Sequence, residues 1–266
     1  MSLTVFCSQK GSPGATLTSL SVAASWPVRE GRTRVLVEAD PAGGVLALRY
    51  GLSREPGLLT LATAVRHGGA TSADVLDNCQ VLPGGLLSIV APEHSSSIEA
   101  AFRAAGAGLG DALSQAPDLD VIVDIGRLTS TSPAGSLLSF ADAVFMVARP
   151  TPEQIVAGAE QLRSVRNARW CLVGDKPYSA QQVTEAFGIP AFVLADDRRG
   201  AEAIETGGSA KRVRRSDLMR SARELAETID AAVNPGAVST PGIVEVEPPT
   251  SEAPRPNSLV DPIVTP

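Results

Sequence analysis

The sequence predicts a three-layer α/β sandwich, a mostly parallel central sheet covered by helices on both faces, over residues 1–233. Three observations carry that expectation. Apolar runs of strand length lack the alternation of half-exposed strands, as strands buried on both faces do. Each run is followed by a turn and then a helical pattern, the order of right-handed βαβ units. Apolar residues make up 44% of the chain and aromatics only 4%, a mixture that suits Val-rich strands beneath Ala/Leu helices.

The first strand is SLTVFCS at 2–8, leading through a Gly/Pro loop to an Ala/Leu/Ser helix over 16–26 that Pro27 closes. TRVLVEAD at 33–40 is the second strand and ends in the turn PAGG. LLSIVAP at 86–92 is the third, followed by a helix over 95–113 whose later half glycines weaken. DVIVDIG at 120–126, AVFMVARP at 143–150 and ARWCLVGD at 168–175 are the fourth, fifth and sixth strands, and IPAFVLAD at 189–196 is a short seventh. A helix over 152–165 opens on Pro152 and Glu153, a favourable first turn. The helix over 216–233 closes the domain, with Ser216 as its N-cap and Leu218, Ala222, Leu225, Ala226 and Ile229 on one stripe.

Residues 234–266 hold eight prolines, four acids and one base, so a disordered or extended tail is expected there. It reads either as a solvated tail or as a docking peptide centred on 258–264. No apolar stretch approaches the roughly 18–20 residues that span a bilayer. The N-terminus lacks a positive cluster ahead of an apolar core, so a cytoplasmic location is expected. Cys7, Cys79 and Cys171 are scattered without partners at metal spacing, which argues against a disulfide framework or a zinc site. His67 and His94 are the only histidines and read as loop residues, leaving little for a histidine-based nucleophile. The net charge of −6 argues against a surface coated for nucleic acid. The tail supplies −3 of it, leaving −3 on the body, where SAKRVRRSDLMRSAR at 209–223 is strongly basic.

The chemistry is concentrated in KGSPGATLT at 10–18. A phosphate loop aims successive backbone N–H groups and a helix N-terminus at an anion, and glycines keep side chains out of the way. A hydroxyl at the helix start then holds Mg²⁺, and an acid at the end of a distant strand completes the metal's shell. Gly11 and Gly14 supply the glycines, Thr16 the hydroxyl and Asp124 the acid. Ligands of open α/β sheets bind at the carboxyl ends of the strands, where this loop, Asp40 and Asp124 should converge. Asp40 and Asp124 also have a plainer reading, as strand-end residues satisfying turns; their joint spacing favours the site.

In KGSPGATL, VLVEADPAGG and VIVDIG the chain resembles the MinD/ParA family of deviant Walker ATPases, which have the P-loop NTPase fold and a loop reading KGGxGKT[ST]. The resemblance covers roughly residues 1–230 and continues through ADAVFMVARPTPEQIVAGAEQLR. It implies ATP and Mg²⁺ as cofactors, with Gly11, Ser12, Pro13, Gly14, Ala15, Thr16 and Leu17 around the phosphates. Thr16, Asp40 and Asp124 then stand around the metal, and Lys10 and Asp40 are the catalytic pair. Lys10 falls on the signature lysine that reaches a partner's phosphates across a nucleotide-sandwich homodimer; otherwise it is an ordinary loop lysine. EPGLLTLATAVR and LLSIVAPEHSSS resemble the CpaE/TadZ branch, which positions pilus-assembly machinery, so a protein partner in a positioning or assembly system is implied.

The departures weaken the site. Ala15 stands where the family has its Walker lysine and removes the cation that reaches the β- and γ-phosphates, a contact worth about 1.5–3 kcal/mol. Leu17 replaces a common Ser/Thr, and Pro13 deletes one N–H. Glu38 replaces the first aspartate of the family's DxDPQG segment, and Gly174 and Asp175 stand near where an asparagine often meets adenine. Arg127 reads as a phosphate contact or as a surface arginine. Lys211, Arg212, Arg214 and Arg215 are candidates for nonspecific DNA contact, as in ParA-like proteins, or else a solvated helix entry balanced by Glu224 and Glu227. Two functions stay open: a pseudo-ATPase or slow ATP switch in positioning or assembly, and an active, dimerising partition ATPase that binds DNA. A MinD-type membrane cycle is not expected, since no basic amphipathic helix follows the domain.

Overall fold

The computed structural model describes residues 2–10, 13–68, 70–206 and 208–235. Within them the strands are β1 (Ser2–Ser8), β2 (Thr33–Glu38), β3 (Gln80–Val81), β4 (Leu87–Ile89), β5 (Leu119–Arg127), β6 (Ala143–Ala148), β7 (Ala168–Val173) and β8 (Ala191–Leu194). They form one sheet in the order β3-β4-β2-β5-β1-β6-β7-β8, parallel throughout except at β3–β4. The seven expected runs all became strands: β1 keeps its expected bounds, β5 extends one residue further at each end, and the other five are trimmed by a few residues. The unforeseen eighth, β3, is a two-residue antiparallel edge.

The absence of alternation now has its explanation. Val121, Val123 and Ile125 of β5 enter one core, while Ile122 enters the other. In β1, Leu3, Val5 and Cys7 face the first core and Phe6 the second.

The helices are α1 (Ala15–Ser25), α2 (Leu46–Tyr50), α3 (Leu58–Arg66), α4 (Ser72–Asp77), α5 (Ser95–Ala105), α6 (Gly108–Ser114), α7 (Pro152–Leu162), α8 (Ala180–Phe187), α9 (Arg198–Glu205), α10 (Ala210–Arg214) and α11 (Asp217–Val233). Leu61, Ile98, Leu109 and Ile155 close the first core from α3, α5, α6 and α7. Leu20 of α1 and Leu218, Ala222, Leu225, Ala226 and Ile229 of α11 close the second, so the expected stripe is the buried one. Ser216 caps α11, its hydroxyl accepting from the Met219 N–H. The single helix expected over 95–113 is instead two, because Gly106 takes a left-handed φ of 55° and ends α5.

Parallel strands bring the carboxyl ends of β1, β2, β5, β6, β7 and β8 to one edge. At that edge the Asp197 carboxylate accepts from Gly200 N of α9 and from Asp217 N of α11, joining the two helix starts. α11 then runs back to the opposite edge. There Asp230 pairs with Arg29, and Asn234 donates to Asp120 of β5, which also holds Arg32 and the Ser2 hydroxyl.

No helix of the described residues is long and apolar enough to cross a membrane. The expectation for the tail from 236 onward lies outside the described residues.

Candidate functional site

β5 lies between β1 and β2, and Asp124 is in register with Phe6 on one side and Glu38 on the other. The next pair on the β1 side is Ser8 with Arg127, so β5 spends one more residue than β1 beyond Asp124. That bulge is centred on Gly126, whose φ of 57° is left-handed. A Cβ there would overlap the Asp40 carboxylate, which packs directly on Gly126. Only glycine satisfies both the dihedral and the contact.

Asp124 is 1% exposed. Its Oδ1 accepts from Gly126 N at 2.9 Å, while Oδ2 is buried with no hydrogen-bond partner. Burial pushes this carboxyl up to about 7; the Thr16 side chain and the Gly126 N–H oppose the shift, and the negative charges of Asp40 and Glu38 add to it. Thr16, in the first turn of α1, thus stands near enough to favour the ionised carboxylate without closing a hydrogen bond of normal geometry on Oδ2. Asp40 is half-buried, and burial raises its pKa against the Ala42 N–H, 2.8 Å from Oδ1, and the charge of Arg127. The structure therefore brings Thr16, Asp40, Asp124 and Arg127 together.

Glu38 has a different task from the one its alignment suggests. Its Oε1 accepts from Val45 N at 2.6 Å and Leu46 N at 3.0 Å, and its Oε2 from Ala91 N at 3.0 Å. It therefore braces the turn after Asp40 and the start of α2 against the end of β4. Burial raises its pKa, and the three N–H groups hold it down. No local signal betrays this role, because Ala91 lies 53 residues away.

The donor set fits Mg²⁺. A buried carboxylate oxygen without a partner, a nearby hydroxyl and a second carboxylate are hard oxygen ligands, and a cation would relieve the crowding of Asp124, Asp40 and Glu38. Among the described residues no cluster of three or more His, Cys, Asp or Glu encloses a metal by itself.

On the phosphate side, Gly14 (φ 93°) leads into α1 and its carbonyl accepts from Thr18 N at 2.8 Å. Pro13 is buried, Ala15 is 7% exposed, and Ala15 and Leu17 pack on the second core. Neither offers a phosphate anything but backbone. Gly11 and Ser12 lie outside the described residues. Lys10 is exposed and near the first turn of α7: the Glu153 carboxyl there is held low by its own N–H, by the Thr151 hydroxyl and, more weakly, by Lys10.

A cleft of about 280 Å³ continues the same edge at the carboxyl ends of β6, β7 and β8. Arg149, Thr151, Gly174, Asp175, Lys176 and Asp196 line it. Arg149 donates to Asp196 Oδ2 at 2.6 Å and Oδ1 at 3.4 Å, and this pairing raises its own pKa. The remaining candidates, Lys211, Arg212, Arg214 and Arg215, are exposed on and just after α10, which packs on α9 and α11. Arg198 and Arg199 of α9 are exposed as well, and sequence reasoning left them out of the basic surface.

No protein-family model and no curated protein matches the sequence. Solved structures do match in fold. A ParA family ATPase from Chlorobium tepidum TLS superposes with a TM-score of 0.70 at 16% identity, over 85% of this chain and 98% of that one. The septum site-determining protein MinD of Pyrococcus horikoshii OT3, complexed with Mg-ADP, gives 0.65 at 17% identity, over 88% and 97%. Cobyrinic acid a,c-diamide synthase of Mycobacterium smegmatis, with a bound ATP analogue and magnesium, gives 0.60 at 19% identity, over 90% and 98%. With its β3-β4-β2-β5-β1-β6-β7-β8 sheet and the loop leading from β1 into α1, the chain has the fold of the ParA and MinD ATPases.

Proposed function

We propose that residues 1–233 form a nucleoside-triphosphate and Mg²⁺ switch with a weakened phosphate grip, a pseudo-ATPase or slow ATPase that serves in the cytoplasm in positioning or assembling a partner complex. The observation that carries this reading is the unpartnered, buried Oδ2 of Asp124 near Thr16 and Asp40, beside a loop whose Walker-lysine position is the buried Ala15. Thr16 and Asp124 would hold Mg²⁺, directly or through water, and Asp40 would orient the water that attacks the terminal phosphate. The bound metal supplies charge to the phosphate oxygens. The backbone from Gly11 to Leu17 and the start of α1 hold the phosphates. Lys10 would meet phosphates from a second copy, which makes a nucleotide-dependent homodimer part of the proposal.

Calorimetry with ATP–Mg²⁺ on the wild type and on Ala15→Lys tests the reading. A returned cation worth about 1.5–3 kcal/mol should tighten binding by about 10- to 150-fold. Micromolar binding by the wild type with little gain in Ala15→Lys sinks the claim of a weakened site.

The exposed cations on α9 and α10 favour a second reading, in which the chain is an active partition ATPase that binds DNA through phosphate contacts.

A further inference from the structure

We infer that the acidic stretch of this chain's own tail, Glu245 to Glu252, docks on the basic surface that α9 and α10 build at the start of α11. The inference is independent of whether the phosphate loop holds a nucleotide.

The surface has charge to spare. Arg198 and Arg199 open α9, and Lys211, Arg212, Arg214 and Arg215 lie on and just after α10. All six are exposed, and none forms a salt bridge with another described residue. The acids around them are engaged: Asp197 accepts from the N–H groups of Gly200 and Asp217, Asp217 pairs with Arg220, and Glu205 pairs with Arg49. Of the acids in 197–217 only Glu202 has no such partner among the described residues. A cluster of this kind calls for an anion from outside the described fold.

The tail leaves from a fixed place and carries the opposite charge at the matching distance. Asn234 donates to Asp230 Oδ1 at 2.9 Å, so the chain departs at Pro235, at the edge opposite the cations. Between the two lies α11, whose 17 residues span about 26 Å. Residues 236–244 carry no charge, and the acids follow at Glu245, Glu247 and Glu252. The ten residues from Pro235 to Glu245 reach about 31 Å at polyproline pitch, enough to return along α11 and bring the first acid to Arg214 and Arg215. On that path the uncharged run passes Glu227 and Glu224, the exposed acids of the later part of α11, and the tail's own acids arrive only beyond them. Pro248 and Pro249 reduce the entropy lost when the acidic stretch docks. Exposed ion pairs are weak one by one, and the short tether supplies the effective concentration that lets several act together. The docked tail withholds these cations from any other polyanion.

The test is zero-length carbodiimide cross-linking of the full chain at low salt, mapped by mass spectrometry. The chain has three lysines, Lys10, Lys176 and Lys211, and only Lys211 belongs to the basic surface. Glu245, Glu247 or Glu252 should be joined to Lys211, within one chain when isotope-labelled and unlabelled protein are mixed. The joins should vanish in 1 M salt, where the Debye length is about 3 Å. Hydrogen exchange of the α10 amides is the second readout, on a variant carrying Glu245→Gln, Glu247→Gln and Glu252→Gln, all outside the described fold. Exchange should be about threefold or more faster in the variant than in the wild type at low salt, and equal in 1 M salt. Absence of a join to Lys211, joins to Lys10 or Lys176 in its place, or α10 exchange that the variant leaves unchanged each overturns the proposal. Joins between labelled and unlabelled chains also overturn it and make a second copy the occupant.

Discussion

Replacing Asp124 by asparagine removes a charge that the folded chain holds at a cost. The carboxyl is 1% exposed, and burial moves its pKa from the usual value near 4 to about 7. That displacement corresponds to at most about 4 kcal/mol against the charged form. The sign follows from proton binding. Between pH 4 and 7 the folded state holds a proton on Asp124 that the unfolded state has released, so stability falls as pH rises through this window. Glu38 and Asp40, whose pKa values are also raised, push in the same direction. Asp124→Asn keeps an oxygen for the Gly126 N–H and cannot titrate. Urea denaturation of both proteins at pH 4.5 and pH 8 gives two stability differences, and their comparison cancels any pH-independent effect of the amide. The variant should gain on the wild type by about 2–4 kcal/mol between the two pH values. Added Mg²⁺ should stabilise the wild type at pH 8 and leave the variant unmoved. A gain below about 0.5 kcal/mol would refute the argument that Asp124 is a strained, metal-seeking carboxylate.

Two further outcomes are expected. Glu38→Gln places an amide donor against the Ala91 N–H and should cost about 1–3 kcal/mol at pH 8, with faster hydrogen exchange at Val45 and Leu46; a cost within error removes Glu38 as a brace. Changing Lys211, Arg212, Arg214 and Arg215 together to alanine should weaken binding to random duplex DNA and flatten its salt dependence by up to about 0.9 per lost phosphate contact, and an unchanged salt slope rules out DNA contact by these residues.

Much of this was legible in the sequence, for reasons that differ by element. β1 is fully buried along its length, so its apolar run marks both of its ends. α11 is amphipathic and capped, which is why its stripe and Ser216 could be read off directly. The smaller helices α4 and α8 carry their own signals, capping boxes at Thr71–Asp74 and Ser179–Gln182, but are too short to show a helical period. β3 has two residues and no period to detect; its partner β4 creates it. In the site, the convergence of Thr16, Asp40 and Asp124 followed from their places after β1, after β2 and towards the end of β5. The brace made by Glu38 did not, since its contact with Ala91 exists only once β2 and β4 are paired.

The bulge in β5 has a consequence for how this site can change. Side chains alternate along a strand, so the extra residue after Asp124 returns Arg127 to the Asp124 face, in register with Ser8. Without the register shift Gly126 would pair with Ser8, and the guanidinium that now feels the Asp40 charge would point through the sheet to the opposite side. The electrostatics of the edge therefore depend on how many residues β5 contains as well as on which they are. Gaining one residue between the bulge and Arg127 would pair the newcomer with Ser8 and turn the guanidinium to the opposite face while leaving every acid in place, whereas losing one would only remove the bulge and keep Arg127 opposite Ser8.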